Sequence, residues 1–125
     1  MNRFALLALA ACVVAGGAQA QCRGTDKAIE VKLALAAPAQ WSVTQPLPVC
    51  VRHEYKLPLK AGQRVELTLT SPSGQKGMMT LVAPSGEKPA DGENAWSGAA
   101  AETGTYTIEI GTDKTTRYTL KIVVR

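Results

Sequence analysis

Residues 104–124, Gly-Thr-Tyr-Thr-Ile-Glu-Ile-Gly-Thr-Asp-Lys-Thr-Thr-Arg-Tyr-Thr-Leu-Lys-Ile-Val-Val, carry the clearest structural pattern of the sequence. Large apolar side chains occupy every second position in both halves: Tyr106, Ile108 and Ile110, then Tyr118, Leu120, Ile122 and Val124. A period of two is typical of a half-buried β-strand, whereas a helix would repeat every 3.6 residues. Residues 111–116 between the halves are mostly polar. The pattern therefore predicts a β-hairpin of two amphipathic strands.

The same alternation recurs upstream. It places on single strand faces Ile29, Val31, Leu33 and Leu35, then Val49, Val51, His53, Tyr55 and Leu57, then Val65, Leu67 and Leu69. Turn sequences such as Ser-Pro-Ser-Gly at 71–74 separate these runs. We expect residues 41–45, between prolines, to form at most a short edge strand, 87–95 to form a long polar loop, and 95–98 to begin another strand. The sequence thus predicts an all-β chain, a single antiparallel β-sandwich or jelly-roll-like domain.

Composition narrows the functional classes. The 125 residues with 46% hydrophobic content suffice for one domain with one core. The 14 basic and 10 acidic residues alternate without forming a basic run, which argues against a nucleic-acid interface. His53 is the only histidine, which removes most metal-binding and acid–base arrangements, so we expect no metal and no cofactor.

Residues 1–20 have the form of a cleaved signal peptide. Arg3 supplies an early positive charge, about 14 uncharged residues follow, and Ala18-Gln19-Ala20 matches a signal-peptidase site. This uncharged stretch is shorter than the roughly 18 apolar residues that a membrane span needs, which favours a signal peptide over a membrane anchor. We therefore expect no membrane span after cleavage. The alternative is a lipoprotein acylated at Cys12, which follows Leu9-Ala10-Ala11. Either way the sequence predicts export, to the periplasm or the medium.

Removal of residues 1–20 leaves two of the three cysteines, Cys22 and Cys50, in an oxidising compartment. Because this compartment favours oxidation, we predict that they form one disulfide. The alternative of a redox-active pair is disfavoured, since the spacing is not that of a C-x-x-C motif. The bond would attach an N-terminal segment, residues 21–53, to the rest of the domain.

From about Glu54 to Val124 the order of elements resembles the bacterial pre-peptidase C-terminal (PPC) domain. The matching motifs are residues 59–65 (Leu-Lys-Ala-Gly-Gln-Arg-Val), the turns Ser71-Pro72-Ser73-Gly74 and Ala83-Pro84-Ser85-Gly86, Trp96-Ser97-Gly98, residues 103–108 (Thr-Gly-Thr-Tyr-Thr-Ile) and Tyr118-Thr119-Leu120. The resemblance implies a β-sandwich over 54–125 without catalytic residues.

Among stand-alone exported proteins of this kind, the chain resembles the periplasmic inhibitors of goose-type (g-type) lysozyme. That resemblance implies a non-catalytic protein that binds a protein partner, with g-type lysozyme as the candidate. It also implies that the protein inhibits lysozyme by occluding the active-site cleft of that enzyme. The alternative is a sandwich module that binds carbohydrate, cell-wall polymer or another envelope protein. An enzyme is disfavoured, since no nucleophile, base and orienting group can be assembled from the residues. Glu54 and Glu66 are expected on solvated faces, and His53 is expected to be a half-buried strand residue.

An inhibitor needs a projecting segment on a rigid scaffold. The region 91–104 collects glycine, small hydroxyl and aromatic residues where the strand pattern lapses. The candidate partner-binding residues are Asn94, Trp96, Ser97, Thr103 and Gly104, with Arg117 nearby. Trp96 could either cover the end of the core or stand exposed as an anchor, and Trp41 is expected to pack under the N-terminal segment.

Overall fold

The computed structural model of the chain describes residues 27–72, 74–75 and 77–125. These residues form nine β-strands and no helix. The strands are β1 (Lys27–Lys32), β2 (Ala39–Leu47), β3 (Val51–Leu59), β4 (Arg64–Thr70), β5 (Met79–Val82), β6 (Ala90–Glu93), β7 (Ala95–Ala99), β8 (Gly104–Ile110) and β9 (Thr116–Val124). No helix long and apolar enough to cross a membrane is found in these ranges.

The strands form two sheets that pack face to face. One sheet has the order β1-β3-β8-β5-β6 and the other the order β2-β9-β4-β7. The predicted β-sandwich is confirmed. All pairings are antiparallel except that of β1 with β3, which is parallel. Because β1 and β2 each extend one of the sheets, residues 27–53 belong to the same sandwich as the rest of the described chain.

The alternating apolar residues of the sequence fill the space between the sheets. Fully buried large side chains include Tyr55, Leu57, Leu67, Met79, Leu81, Tyr106, Ile108, Ile110, Tyr118, Leu120 and Ile122. The intervening residues of β4, β8 and β9 face outward and are polar at nearly every position. The period of two therefore identified the core correctly.

The predicted hairpin over 104–124 is wrong. β8 pairs with β3 and β5 in one sheet, and β9 pairs with β2 and β4 in the other. The connection at 111–115 therefore crosses between the layers. Among strands adjacent in sequence, β5 and β6 alone pair with each other in the described chain. Alternation reports which face of a strand is buried but not which strand lies beside it.

Two other expectations need correction. The stretch predicted as at most a short edge piece is the nine-residue edge strand β2. Its Pro46 is compatible with a strand because the register with β9 leaves the nitrogen of Pro46 on the open side of the sheet, where no hydrogen bond is lost. The predicted polar loop at 87–95 contains strand β6. In this strand Ala90 pairs with Leu81 of β5 and Asp91 pairs with Thr80 of β5.

The signal peptide over 1–20, its alternative at Cys12, and Cys22 lie outside the described residues. Cys50 is described and lies between β2 and β3, where it has a positive φ of 67°. The Cys22–Cys50 disulfide stays a prediction.

Candidate functional site

The turns of the sandwich gather at two opposite ends. The end that we call the Gly104 end comprises residues 33–38, 60–63, 83–89 and 100–104. The end that we call the Arg117 end comprises 48–50, 71–72, 74–75, 77–78, 94 and 111–117. Each end is a set of loops on a rigid two-layer scaffold, which is where binding sites of sandwich proteins usually lie.

The six sequence-predicted partner-binding residues do not form one cluster. Thr103 and Gly104 lie at the Gly104 end, whereas Asn94 and Arg117 lie at the opposite end. Trp96 and Ser97 lie between them on the edge strand β7. A single compact partner surface can therefore include only some of the six.

Asn94 is used to hold a loop. Its side-chain oxygen accepts a hydrogen bond from the Met78 N–H at 3.2 Å, and its Nδ2 donates to the Gln75 carbonyl at 2.7 Å. Both partners belong to the long connection between β4 and β5. Asn94 thus ties this connection to the start of β7, a role that its polarity alone could not reveal from the sequence.

Trp96 and Trp41 are both half-buried against the core. Trp96 lies opposite the buried Leu67, so its ring faces inward at the open edge of the sheet. A Cβ on Gly98 would lie 2.8 Å from Cζ2 of this ring, so glycine makes room for the indole. Trp41 packs edge-to-face on Tyr55 with ring centroids 5.7 Å apart. Of the two interpretations of Trp96, covering the core describes its position better than a fully exposed anchor.

The Gly104 end is held by backbone-directed hydrogen bonds. The Tyr106 hydroxyl accepts from the Glu102 N–H at 3.2 Å and donates to the Glu102 carbonyl at 3.1 Å, the arrangement called a tyrosine corner. Thr103 Oγ1 accepts from the Ala61 N–H at 2.9 Å. The Gly62 N–H donates to the Ala100 carbonyl at 2.8 Å. The 100–103 turn is therefore fixed at both of its ends.

Gly104 is required by close packing. It has a φ of 152°, and a Cβ there would lie 2.7 Å from Cγ of Pro84. Beside it, a shallow cleft of about 560 Å³ opens between residues 35–37, 58–60 and 103–105. The surface around the cleft is mostly apolar, with the exposed Lys60 and Thr105 among its lining residues. This end offers a rigid, largely apolar contact surface.

A polar network lies inside the core. Nδ1 of the buried His53 is 2.6 Å from the Tyr118 hydroxyl oxygen, which is 2.5 Å from the Tyr55 hydroxyl oxygen. Burial lowers the pKa of His53 and raises the pKa of Tyr118 and of Tyr55. His53 is buried and not half-buried as predicted, and its hydrogen bond to Tyr118 is not evident from the sequence pattern. The signal available was that His53 and Tyr55 share one face of a strand whose other inward residues are apolar.

Comparison with solved structures connects this geometry to known proteins. PliG of Aeromonas hydrophila, a periplasmic inhibitor of g-type lysozyme, superposes with a TM-score of 0.59 at 20% identity, covering 80% of this chain and 99% of that protein. PliG of Salmonella Typhimurium gives 0.52 at 16% identity, covering 77% and 98%. The pre-peptidase C-terminal domain of a Bacillus anthracis collagenase gives 0.52 at 12% identity, covering 78% and 95%. The chain has the PliG and PPC fold.

The fold-level resemblance expected from the sequence is thereby confirmed. No protein-family profile and no curated protein matches the sequence. At identities of 12–20%, the likeness to the PliG and PPC structures concerns the fold. The PliG structures are those of inhibitors and not of enzymes.

Within the PliG-like sandwich, Glu54 and Glu66, which the sequence predicts on solvated faces, lie in different sheets. Glu54 lies on the outer face of one sheet, 3.0 Å from Arg52, and Glu66 lies on the outer face of the other, 3.3 Å from Arg125. A glycosidase needs both carboxyl groups on one substrate. Among the described residues, no group of three or more potential metal ligands occurs.

The burial of His53 predicts a pH-dependent stability. In the unfolded chain the pKa of His53 takes its ordinary value of about 6.5, whereas burial lowers it in the fold. Below about pH 6.5 the unfolded state therefore binds a proton that the folded state resists, and the free energy of unfolding falls. Urea unfolding followed by tryptophan fluorescence at pH 7.5 and 5.5 measures this loss.

The matched variant is His53→Gln, which keeps a hydrogen-bonding side chain but does not titrate in this range. Because His53 is the only histidine, the change between pH 7.5 and 5.5 should largely disappear in the variant. An equal loss of stability in both proteins would contradict the assignment to His53.

Proposed function

We propose that the protein is an exported, non-catalytic inhibitor of lysozyme, with g-type lysozyme the first candidate, and that it occludes the active-site cleft of the enzyme. The observation that carries the proposal is the fold similarity to the Aeromonas inhibitor, which extends over 99% of that protein. The signal-peptide pattern at 1–20 and the periplasmic location of the PliG proteins support a periplasmic site of action.

We place the inhibitory surface at the Gly104 end. An inhibitor binds tightly when its contact residues are ordered before binding, because little conformational entropy is then lost. The turn at 100–103 meets this condition through the bonds of Tyr106 and Thr103 to backbone groups. Ala101 at the tip of this turn is exposed, as are Thr103 and Thr105. Such a turn, flanked by an apolar cleft, fits entry into the groove of another protein.

The Arg117 end is the less suitable surface. Its loops carry polar side chains that bind each other, with Gln75 contacting Asp113 at 3.3 Å and Thr112 at 3.1 Å. These groups would have to exchange their partners on binding. Of the six predicted residues, Thr103 and Gly104 therefore belong to the proposed surface directly, and Arg117 does not.

A lysis assay tests the function. Purified mature protein is mixed with g-type, chicken-type or invertebrate-type lysozyme, and the turbidity of a cell-wall suspension is followed. We expect micromolar protein to slow clearing by the g-type enzyme most strongly. Unchanged clearing by all three enzymes at micromolar excess would remove the proposal.

A substitution at the tip of the turn tests the surface. Ala101→Arg adds a bulky charged side chain at an exposed position, so the fold should be kept while the fit into a cleft is lost. We expect the inhibition constant to rise about tenfold or more, the size of effect typical of a central interface position. The measurement is the same turbidity assay over a range of inhibitor concentrations.

Ala28→Arg is the matched control, since Ala28 is also exposed but lies on β1, outside the Gly104 end. It should inhibit as the unmodified protein does. Equal losses in both variants, or none in Ala101→Arg, would place the inhibitory surface elsewhere while leaving the inhibitor function itself intact.

The alternative, a module that binds carbohydrate or cell-wall polymer, has less support. Sugar-binding sandwiches present rows of exposed aromatic rings, whereas both tryptophans of this protein are half-buried and pack against the core. Among the described residues, the one exposed large hydrophobic residue is Ile29, which is 41% exposed and is not aromatic.

A further inference from the structure

The two sheets end in four edge strands, and three of them carry features that hinder the addition of another strand. β1 has three charged residues among six, and β6 carries Asp91 and Glu93 among four. β2 contains Pro46, which has no N–H to offer. Charged residues and proline are the usual means of protecting a sheet edge from further pairing.

β7 has none of these features. Its sequence Ala-Trp-Ser-Gly-Ala contains no charge and no proline, and its pairing with β4 shows no bulge. Ala95, Ser97 and Ala99 are exposed. The β7 edge is short, but among the edge strands of the described residues it is the one with neither a charged residue nor a proline.

The hydrogen-bond pattern shows which backbone groups the open edge presents. The Leu69 N–H donates to the Asn94 carbonyl at 2.7 Å, and the Ala100 N–H donates to the Gln63 carbonyl at 2.8 Å. In an antiparallel ladder the hydrogen-bonded residues alternate, so Trp96 and Gly98 also point their backbone groups at β4.

The N–H and C=O groups of Ala95, Ser97 and Ala99 therefore point away from the sheet. They have no backbone partner among the described residues. An exposed row of three such residues is a template for one more antiparallel strand.

We propose that the occupant of this edge is β7 of a second copy of the chain, so that two four-stranded sheets join about a two-fold axis at Ser97. With Ser97 opposite its symmetry mate, Ala95 lies opposite Ala99 of the second copy, and Ala99 opposite Ala95. These are three hydrogen-bonded pairs with about six N–H···O bonds. Every outward backbone group of β7 is then paired.

The side chains of β7 are self-complementary in this register. On the outer face only alanine and serine meet, so no large or charged group separates the strands. On the inner face Trp96 lies opposite Gly98 of the second copy. The indole of each copy lies over the Gly98 of its own strand, so in this register the two half-buried rings lie side by side across the two-fold axis and each gains cover from the other. The contact does not include the Gly104 end, so both copies keep the proposed inhibitory surface.

Ser97→Pro tests the pairing directly. Proline removes an N–H that does not bond to β4, so the sandwich itself keeps its ladder, while two central bonds of the dimer are lost. Sedimentation equilibrium from about 1 to 500 µM should show that the unmodified protein dimerises, and that Ser97→Pro raises the dissociation constant about tenfold or more. Ser42→Pro places proline at an outward-facing position of β2 and should dimerise normally.

A cysteine variant fixes the register. Hydrogen-bonded residues in antiparallel strands have Cα atoms about 5.5 Å apart, within the range that a disulfide spans. Ser97→Cys should therefore form a covalent dimer on mild oxidation, much faster than Ser42→Cys. A protein that stays monomeric to 500 µM, or equal cross-linking of the two variants, would overturn the proposal. Neither result would bear on lysozyme inhibition.

Discussion

Replacing Cys50 with serine is expected to lower the free energy of unfolding by about 3–4 kcal/mol. The predicted disulfide to Cys22 closes a loop of about 28 residues, and the chain-entropy model assigns a stabilisation of this size to such a loop. The number of residues between Cys22 and β1 permits the bond. The Lys27 N–H donates to the Cys50 carbonyl at 3.0 Å, and Cys22 precedes Lys27 by only five residues. A chain of five residues can span up to about 17 Å, which is enough to join Lys27 to a cysteine bonded to Cys50.

The comparison should use unfolding in urea under non-reducing conditions. Serine keeps a Cβ, so the cost of an L-residue at the φ of 67° is the same in both proteins. The double variant Cys22→Ser/Cys50→Ser should be no less stable than Cys50→Ser, because either substitution removes the whole bond. Two titratable thiols in protein that lacks residues 1–20 and has been purified under oxidising conditions would show that no bond forms.

The loss should be greatest at β1. This strand is held to the sandwich by its parallel pairing with β3 and is mostly exposed. Without the bond, the amide protons of β1 should exchange with solvent faster than those of β8, which is paired on both sides. The disulfide would thus act as the main covalent constraint on an edge strand with few buried side chains.

The sequence predicted the core and the fold class because both depend on the same alternation. Leu67, Ile108 and Leu120 could be placed inside from their spacing alone. The neighbours of each strand could not be predicted in this way. Whether residues 111–115 turn back in one sheet or cross to the other depends on which layer has room for β9, and that is decided by strands far away in the sequence.

The candidate site was only partly predictable for a related reason. Asn94 and Thr103 have polar side chains that suit binding, but their hydrogen-bonding atoms are used by Met78, Gln75 and Ala61. These partners are 16 to 42 residues away in sequence, so no local pattern could identify them. The Tyr106 hydroxyl has a local partner instead, since it binds the backbone of Glu102, four residues before it in the sequence.

Tyr118→Phe is expected to lower the free energy of unfolding by about 2–3 kcal/mol. The hydroxyl of Tyr118 joins two buried groups, Nδ1 of His53 and the hydroxyl of Tyr55. Phenylalanine keeps the ring and its packing but leaves both groups without this partner in the core, and each unsatisfied buried polar group costs about 1–3 kcal/mol. For a domain of this size the midpoint of thermal unfolding should fall by roughly 10–20 °C, which differential scanning calorimetry measures.

Tyr55→Phe is the matched control because it removes the hydroxyl at the end of the same network. Tyr118 then keeps its contact with His53, and the expected cost is about 1 kcal/mol. The double variant should lose less than the sum of the two single losses, since Tyr118→Phe already breaks the bond between the tyrosines. Equal costs for the two single variants would mean that the Tyr118 hydroxyl is not the centre of the network, and strict additivity would mean that the two hydroxyls do not interact.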